Sequence, residues 1–232
     1  MIKVAHGNIY GLADAIRGAR NPMNSWILSD SEGILDENTQ EWNYKIGEKD
    51  LALLKKLVHS GTDHAKFMRM IMVSCDITAP LYWWKEMDQY KVGTVTNSCS
   101  TMHKLTYKPF EVSDFSHDHL DGETSPMFTD GNIILPEGDF GTYNCSALDF
   151  LQITCDVLNK FRDLYITTKD KKYWWQMIQL LPSSYNQKRT WTANFQVLRN
   201  IYHARKNHKL DEWRDFCKEI KDMPYSELIT EK

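Results

Sequence analysis

The 232-residue chain has no CxxC pair, no apolar run near the ~18 residues that a membrane span needs, and no Pro/Gly-rich linker, internal repeat or low-complexity tract. Each absence excludes something. The five cysteines (Cys75, Cys99, Cys145, Cys155, Cys217) are an odd number without metal-ligand spacing, which argues against a disulfide framework and a structural zinc site. The segment MIKVAHGNIYG lacks the apolar centre of a signal peptide, so a cytoplasmic protein with reduced thiols and no membrane partner is expected. A formal net charge of −3 gives no overall field toward nucleic acid, and no nucleic-acid partner is expected. Any phosphate must then be held by local Arg and Lys. Without a linker, residues 1–232 read as a single domain.

What is present is a globular composition, 42% hydrophobic and 25% charged, with eight Trp among its aromatic residues. Such rings serve a core, a subunit interface, or a stack under a flat ligand, and the first two are the expectation for Trp83-Trp84 and Trp174-Trp175. From Ile71 to Thr78, apolar Ile71, Val73, Cys75 and Ile77 alternate with Met72, Ser74, Asp76 and Thr78, the pattern of a strand with one buried face. Pro80 is expected in the first turn of a helix running from Leu81 to about Tyr90. Further helices are expected over Asp50–Ser60, Ser146–Thr167 with Ser146 as N-cap, Asp170–Leu181, Asn194–Arg205 and Asp211–Asp222. Pro109 to Gly141 is rich in Asp, Gly, Ser, Thr and Pro and reads as a long surface excursion. Many helices around few strands make an α+β chain with a small central sheet.

The segment 67–105 holds the densest chemistry: a strand, Ala79-Pro80, an aromatic helix, then the small polar run Asn97-Ser98-Cys99-Ser100-Thr101-Met102-His103. A second block reads Leu181-Pro182, Lys188-Arg189, Trp191-Thr192-Ala193-Asn194 and a helix to Arg205. Together these resemble the flavin-dependent thymidylate synthases (ThyX), in order and over most of the chain. The family's Arg-His-Arg triplet falls on Gln89-Tyr90-Lys91, which keeps one charge. Its Asn-Glu-x-Ser-x-Arg-Tyr segment falls on Asn97 to His103 if one residue is inserted. Asn97 and Ser100 are then kept, Glu becomes Ser98, Arg becomes Met102 and Tyr becomes His103; without the insertion Cys99 takes the serine position. The stretch Pro182 to Arg205 matches without a gap, with Gln196 where the family has an Arg.

The resemblance implies a ThyX-like fold and transfer of a methylene group from methylenetetrahydrofolate to C5 of dUMP, with FAD and NADPH, in a homotetramer with shared sites. It implies Ser100, Cys99 and Gln89 as catalytic candidates, and Lys91, Asn97, Ser98, Lys188, Arg189 and Arg205 for a pyrimidine deoxynucleotide monophosphate. Ser25, His64, Tyr90, Asn194 and Gln196 fall on the cofactor side. A nucleotide phosphate wants forked cationic donors, and a planar uracil wants amide and hydroxyl groups, which these residues supply. Lys91 lacks the fork of Arg, Gln89 lacks charge, and Met102 replaces no Arg. Three readings follow: an active flavin enzyme on dUMP or a related pyrimidine nucleotide, a nucleotide-binding protein without catalysis, and a structural protein with the same fold. Cys99 reads either as a nucleophile for C6 of the ring or as a small buried thiol in a tight loop. His117-Asp118-His119 reads as a solvated loop, with no metal expected. Most of the basic run Arg199, Arg205, Lys206, His208 and Lys209 reads as a solvated face.

Overall fold

A computed structural model describes residues 2–35, 37, 42–123, 133–134, 140–141 and 146–231. In chain order the strands and helices are β1 (Lys3–Tyr10), α1 (Leu12–Arg20), β2 (Glu32–Leu35), β3 (Trp42–Lys45), α2 (Glu48–His59), β4 (Met72–Pro80), α3 (Leu81–Met87), β5 (Thr94–Ser98), α4 (Thr101–Lys104), β6 (Ile133–Ile134), β7 (Phe140–Gly141), α5 (Ala147–Thr168), α6 (Lys171–Leu180), β8 (Asn186–Asn194), α7 (Phe195–Arg205), α8 (Asp211–Asp222) and α9 (Glu227–Thr230). The mixture is α+β, as the sequence pattern leads one to expect. Two compact units are found, one of residues 2–78, 85–98 and 188–232, the other of residues 1, 79–84 and 99–187.

The first unit is built on a four-stranded sheet in the order β1-β4-β8-β5, of which 79–80 and 186–187 belong to the second. The alternation expected over Ile71–Thr78 is present: Val73, Cys75 and Ile77 are buried, and the residues between them are half-exposed. Strand β8 repeats it with Trp191 and Ala193 inward. Phe195, Leu198 and Ile201 of α7 and Trp213, Phe216 and Ile220 of α8 are buried as well. The Trp191 and Phe216 rings lie edge to face at 5.9 Å. The outer face is polar. There Lys188 Nζ meets Asp76 Oδ2 at 2.7 Å, and the Thr190 hydroxyl donates to Asp76 at 2.6 Å. Between β1 and α1, Gly11 has φ +80°, and a Cβ there would lie 2.2 Å from the Met70 carbonyl oxygen, so glycine alone fits.

Asp50 and Arg20 organise the loop before α2. Asp50 is fully buried and Arg20 nearly so, with Arg20 Nε donating to Asp50 Oδ1 at 2.5 Å. The other carboxylate oxygen accepts from the hydroxyls of Ser29 and Ser31 and from the backbone N–H of Asp30 and Ser31. At the far end of the chain, the Arg199 Nη1 donates to the carbonyls of Leu228, Ile229 and Glu231, tying the last turns to α7. That corrects the solvated reading for Arg199.

In the second unit, α5 and α6 form a hairpin. Ser146 caps α5 by accepting from Asp149 N–H, while the Asp149 carboxylate accepts from Ser146 N–H, a reciprocal pair. Lys169 ends the helix in the left-handed region and Asp170 caps the next. Leu151, Cys155 and Leu158 pack with Met177, Leu105, Phe110 and Phe115. The surface excursion expected over 109–141 is therefore corrected at its start, because Phe110 and Phe115 are core residues; residues 124–132 and 135–139 lie outside the described ones. Pro80 closes β4 rather than opening a helix, and α3 stops at Met87, three residues short of Tyr90. Trp83 and Trp84 are buried, with rings 4.9 Å apart.

Candidate functional site

On the inner face of the sheet, where β5 forms the edge, Met87, Asp88, Tyr90, Lys91, Thr94, Thr96 and Trp191 line a cleft of about 290 Å³. The chain folds this way because α3 ends in two tight turns, Gln89 N–H to Glu86 O and Tyr90 N–H to Met87 O. It then reverses at Gly93, whose φ of +75° suits glycine. The Thr94 hydroxyl donates to the Tyr90 carbonyl and holds that reversal. Buried Trp191 and Met87 supply apolar surface, and Thr96 and Lys91 are exposed.

Register decides which candidates lie on the face of the sheet that carries the cleft. Strand β5 runs antiparallel to β8 with Thr94 opposite Ala193, Val95 opposite Thr192, Thr96 opposite Trp191, Asn97 opposite Thr190 and Ser98 opposite Arg189. Directly opposed residues of an antiparallel pair share a face. Ser98 and Arg189 therefore lie on the Trp191 face with Thr94 and Thr96. Asn97 and Lys188 lie on the outer face with Thr190 and Asp76. The structure brings Lys91, Ser98 and Arg189 to one side of the sheet, and Asn97 and Lys188 to the other.

The cationic candidates differ in what they already hold. Arg205 Nη1 donates to Glu86 Oε2 at 2.9 Å and its Nε donates to the Tyr90 hydroxyl at 2.9 Å. Its guanidinium also stacks 4.7 Å from the Trp213 ring centre, and Trp213 Nε1 donates to the same Glu86 oxygen. Arg189 Nη1 donates to Asp88 Oδ1 at 2.9 Å. Lys91 has no ion pair or hydrogen bond among the described residues. At the cleft wall it is the cation left for a ligand.

Gln89 is exposed. Cys99 and Ser100 belong to the second unit. The Cys99 thiol is exposed, which corrects the buried-thiol alternative, and its carbonyl accepts from Gln187 Nε2 at 2.8 Å. The Ser100 hydroxyl accepts from His103 N–H as the cap of α4. The other described thiols are buried; burial pushes Cys75 up to about 12 and Cys217 up to about 11.

Among the candidates for the cofactor, Asn194 caps α7 through Val197 N–H, Gln196 bonds Asn200, and the Ser25 hydroxyl accepts from Arg20. His64 is exposed at the start of a short 3-10 turn, Ala65–Arg69. Lys66 and Arg69 on that turn are exposed and have no ion pair among the described residues. The sequence reading passed over these two cations, although Lys-x-x-Arg beside a candidate His is a signal for a phosphate. Arg17 lies over the face of exposed Trp26 at 5.4 Å. Lys66 and Arg69 are cations of the kind that a dinucleotide's phosphates need, and Trp26 is a flat ring of the kind that stacks on a base or flavin. Among the described residues no group of three His, Cys, Asp or Glu is placed to hold a metal, and no helix is long and apolar enough to cross a membrane.

No protein-family model matches the sequence, and no curated protein does. Solved structures do. Thymidylate synthase X from Helicobacter pylori, crystallised with FAD and dUMP, is 16% identical, and the match covers 99% of this chain and 97% of that one at a TM-score of 0.63. A second crystal structure of the Helicobacter pylori enzyme with FAD and dUMP is 17% identical over 98% and 97%, also at 0.63. The UMP/dUMP methylase PolB from Streptomyces cacaoi, bound to 5-Br dUMP, is 13% identical over 99% and 95%, at 0.55. The chain has the fold of the flavin-dependent thymidylate synthases from end to end.

Proposed function

We propose that this protein is a flavin-dependent thymidylate synthase-like enzyme that takes a pyrimidine deoxynucleotide monophosphate, dUMP first, in the cleft beside β5. The observation that carries the reading is the end-to-end correspondence with an enzyme crystallised with FAD and dUMP. The cleft supports it locally, with an apolar floor at Trp191, hydroxyls at Thr94 and Thr96, and the unpaired charge of Lys91. Ser98 and Arg189 join it from the same face of the sheet. FAD is assigned to His64 with Ser25, Tyr90, Asn194 and Gln196, and when bound it supplies the hydride, with NADPH and methylenetetrahydrofolate as co-substrates. The assembly is a homotetramer; Val92 and Val95, exposed at the β5 edge, are apolar surface for a neighbouring subunit.

From the resemblance, Cys99 and Ser100 are the candidates for the reacting edge of the pyrimidine, with Gln89 polarising it. C5 of uracil is a poor nucleophile until the ring gains electron density. Addition of the Cys99 thiolate to C6 supplies it, breaking the C5=C6 π bond and placing the electron pair on C5 and O4, and the thiolate leaves again as C5 loses its proton; the other route is hydrogen bonding to the ring oxygens. Cys99→Ser is expected to abolish dTMP formation while leaving dUMP affinity in place. Turnover that survives in this variant assigns the reaction to the second route.

The decisive experiment is a visible spectrum of the purified protein and a titration of the apoprotein with FAD. Yellow protein with a Kd well below millimolar is expected. A Kd no tighter than about 1 mM, only ~4 kcal/mol, removes the flavin reading. A second reading, nucleotide binding without catalysis, is favoured by one feature: Arg205 and Asn194 are both engaged within the chain. It predicts dUMP binding without dTMP in a mixture of FAD, NADPH, methylenetetrahydrofolate and dUMP.

A further inference from the structure

Arg205 stands out because four groups of this chain converge on it. Its Nη1 is taken by the Glu86 carboxylate and its Nε by the Tyr90 hydroxyl. Its plane lies against Trp213 at 4.7 Å and against Tyr90 at 5.7 Å. Glu86 is fixed in turn by Trp213 Nε1 at 3.0 Å and faces His208 Nε2 at 3.6 Å. The Tyr90 and Trp213 rings meet edge to face at 6.0 Å. Only 17% of the Arg205 side chain is exposed. An anion gripped by the Nε–Nη1 edge of Arg205 would have to displace a carboxylate that is itself half-buried and hydrogen-bonded, a poor exchange for a monoester phosphate.

Tyr90 and Lys91 are neighbours in the chain, and both line the cleft. The guanidinium therefore fixes the residue next to the one unpaired cation of that wall. Asp88, also in the wall, is held by Arg189 in the same manner. The two carboxylates and the two arginines cancel, so the net positive charge that remains at this wall is that of Lys91.

We infer that Arg205 is a positioning residue, which fixes the Tyr90 wall of the cleft through the Glu86–Trp213 clamp, and that Lys91 is the residue that reads the phosphate of the nucleotide. This rests on the proposed nucleotide reading and deepens it, since it says which cation separates a nucleotide from its nucleoside.

The test is the ratio of the affinities for dUMP and deoxyuridine, followed by Trp fluorescence or ligand-detected NMR in wild type, K91M, R205A and R205K. Wild type is expected to favour dUMP by about ten- to a hundredfold, the range of one charge-assisted contact. K91M should lose most of that preference while deoxyuridine affinity stays the same. R205A should weaken both ligands together, about three- to tenfold, and keep the ratio. R205K should resemble R205A, because a lysine keeps the charge but not the fork that reaches Tyr90 and Glu86. If R205A fails to fold, Tyr90→Phe removes the same contact from the other side and should also weaken both ligands with the ratio kept. A ratio that survives K91M, or one that collapses in R205A or is rescued by R205K, overturns the inference. Wild type that binds neither ligand overturns the nucleotide reading itself.

Discussion

Replacing Asp50 by asparagine is expected to destabilise the protein by about 3–5 kcal/mol, out of a total of about 5–15. Asn has nearly the same shape, so the cost is electrical. Arg20, 5% exposed, is left as a buried cation without its counter-charge. The new amide also presents N–H groups where the carboxylate accepts from the backbone N–H of Asp30 at 3.1 Å and of Ser31 at 3.2 Å. The serine hydroxyls can turn to accept, but the backbone donors cannot. Urea unfolding of wild type and D50N measures the difference, and its pH dependence checks the cause. Burial pushes the Asp50 carboxyl up, but hydrogen bonds from Ser29, Ser31 and Arg20 and the charge of Arg20 outweigh it, leaving the group below its ordinary 3.8. A carboxyl lowered in the folded state stabilises fully above its unfolded value and loses that contribution as the pH falls through its folded value. The gap between wild type and D50N should thus hold near neutrality and narrow on acidification below 3.8. A cost under about 1 kcal/mol, or a gap that is the same at about pH 6 and about pH 3, would refute the account.

Asn194→Ala should remove the α7 cap and lower stability by about 1 kcal/mol, read as a lower melting temperature, apart from any change in FAD affinity. Gly93→Ala should cost more than that, since its Cβ would lie 2.9 Å from Asn194 Nδ2 at a φ of +75°; circular dichroism melts would decide. Ser146→Ala should lose about 1–2 kcal/mol by opening the reciprocal cap of α5, and Ser146→Thr, which keeps the hydroxyl, should recover most of it in the same melts. A thiol-specific reagent at mildly alkaline pH should label Cys99 in the native protein, and Cys75, Cys155 and Cys217 only after denaturant is added. Rapid native labelling of Cys75 would contradict its burial.

The elements that the sequence pattern announced are those whose signal is local. Alternation marked β4, and the Ser146 cap and apolar stripe marked α5. The helix over Asp211–Asp222 matched at both ends because its apolar positions recur on one face and Pro224 stands just beyond it. Strand β8 was not recognised, because its Lys188-Arg189-Thr190 stretch has no apolar alternation until Trp191; its charges are neutralised by Asp76 on the outer face and by Asp88 on the inner one, both far off in sequence. Strands β1 and β5 are edges with mostly exposed residues, so burial left little pattern to read. At the site, the loop 97–103 and Lys91 were visible as residue types. The engagement of Arg205 was not, since it depends on Glu86 and Trp213, which no spacing joins to it.

The register of β5 against β8 makes one short strand into two separately adjustable surfaces. Substitutions at 94 and 96 alter the lining of the cleft and those at 98 the same face beside it, while those at 95 and 97 alter the outer face, so libraries at the two sets can be varied and recombined with little interference. Length is a different matter. Removing or inserting a single residue between Gly93 and Ser98 exchanges the two sets, presenting Val95 and Asn97 to the cleft and sending Thr94 and Thr96 outward. Such a variant would keep the composition of the strand and acquire a cleft of different chemistry in one step, which makes indels in this segment a more drastic route to new ligand preference than point changes.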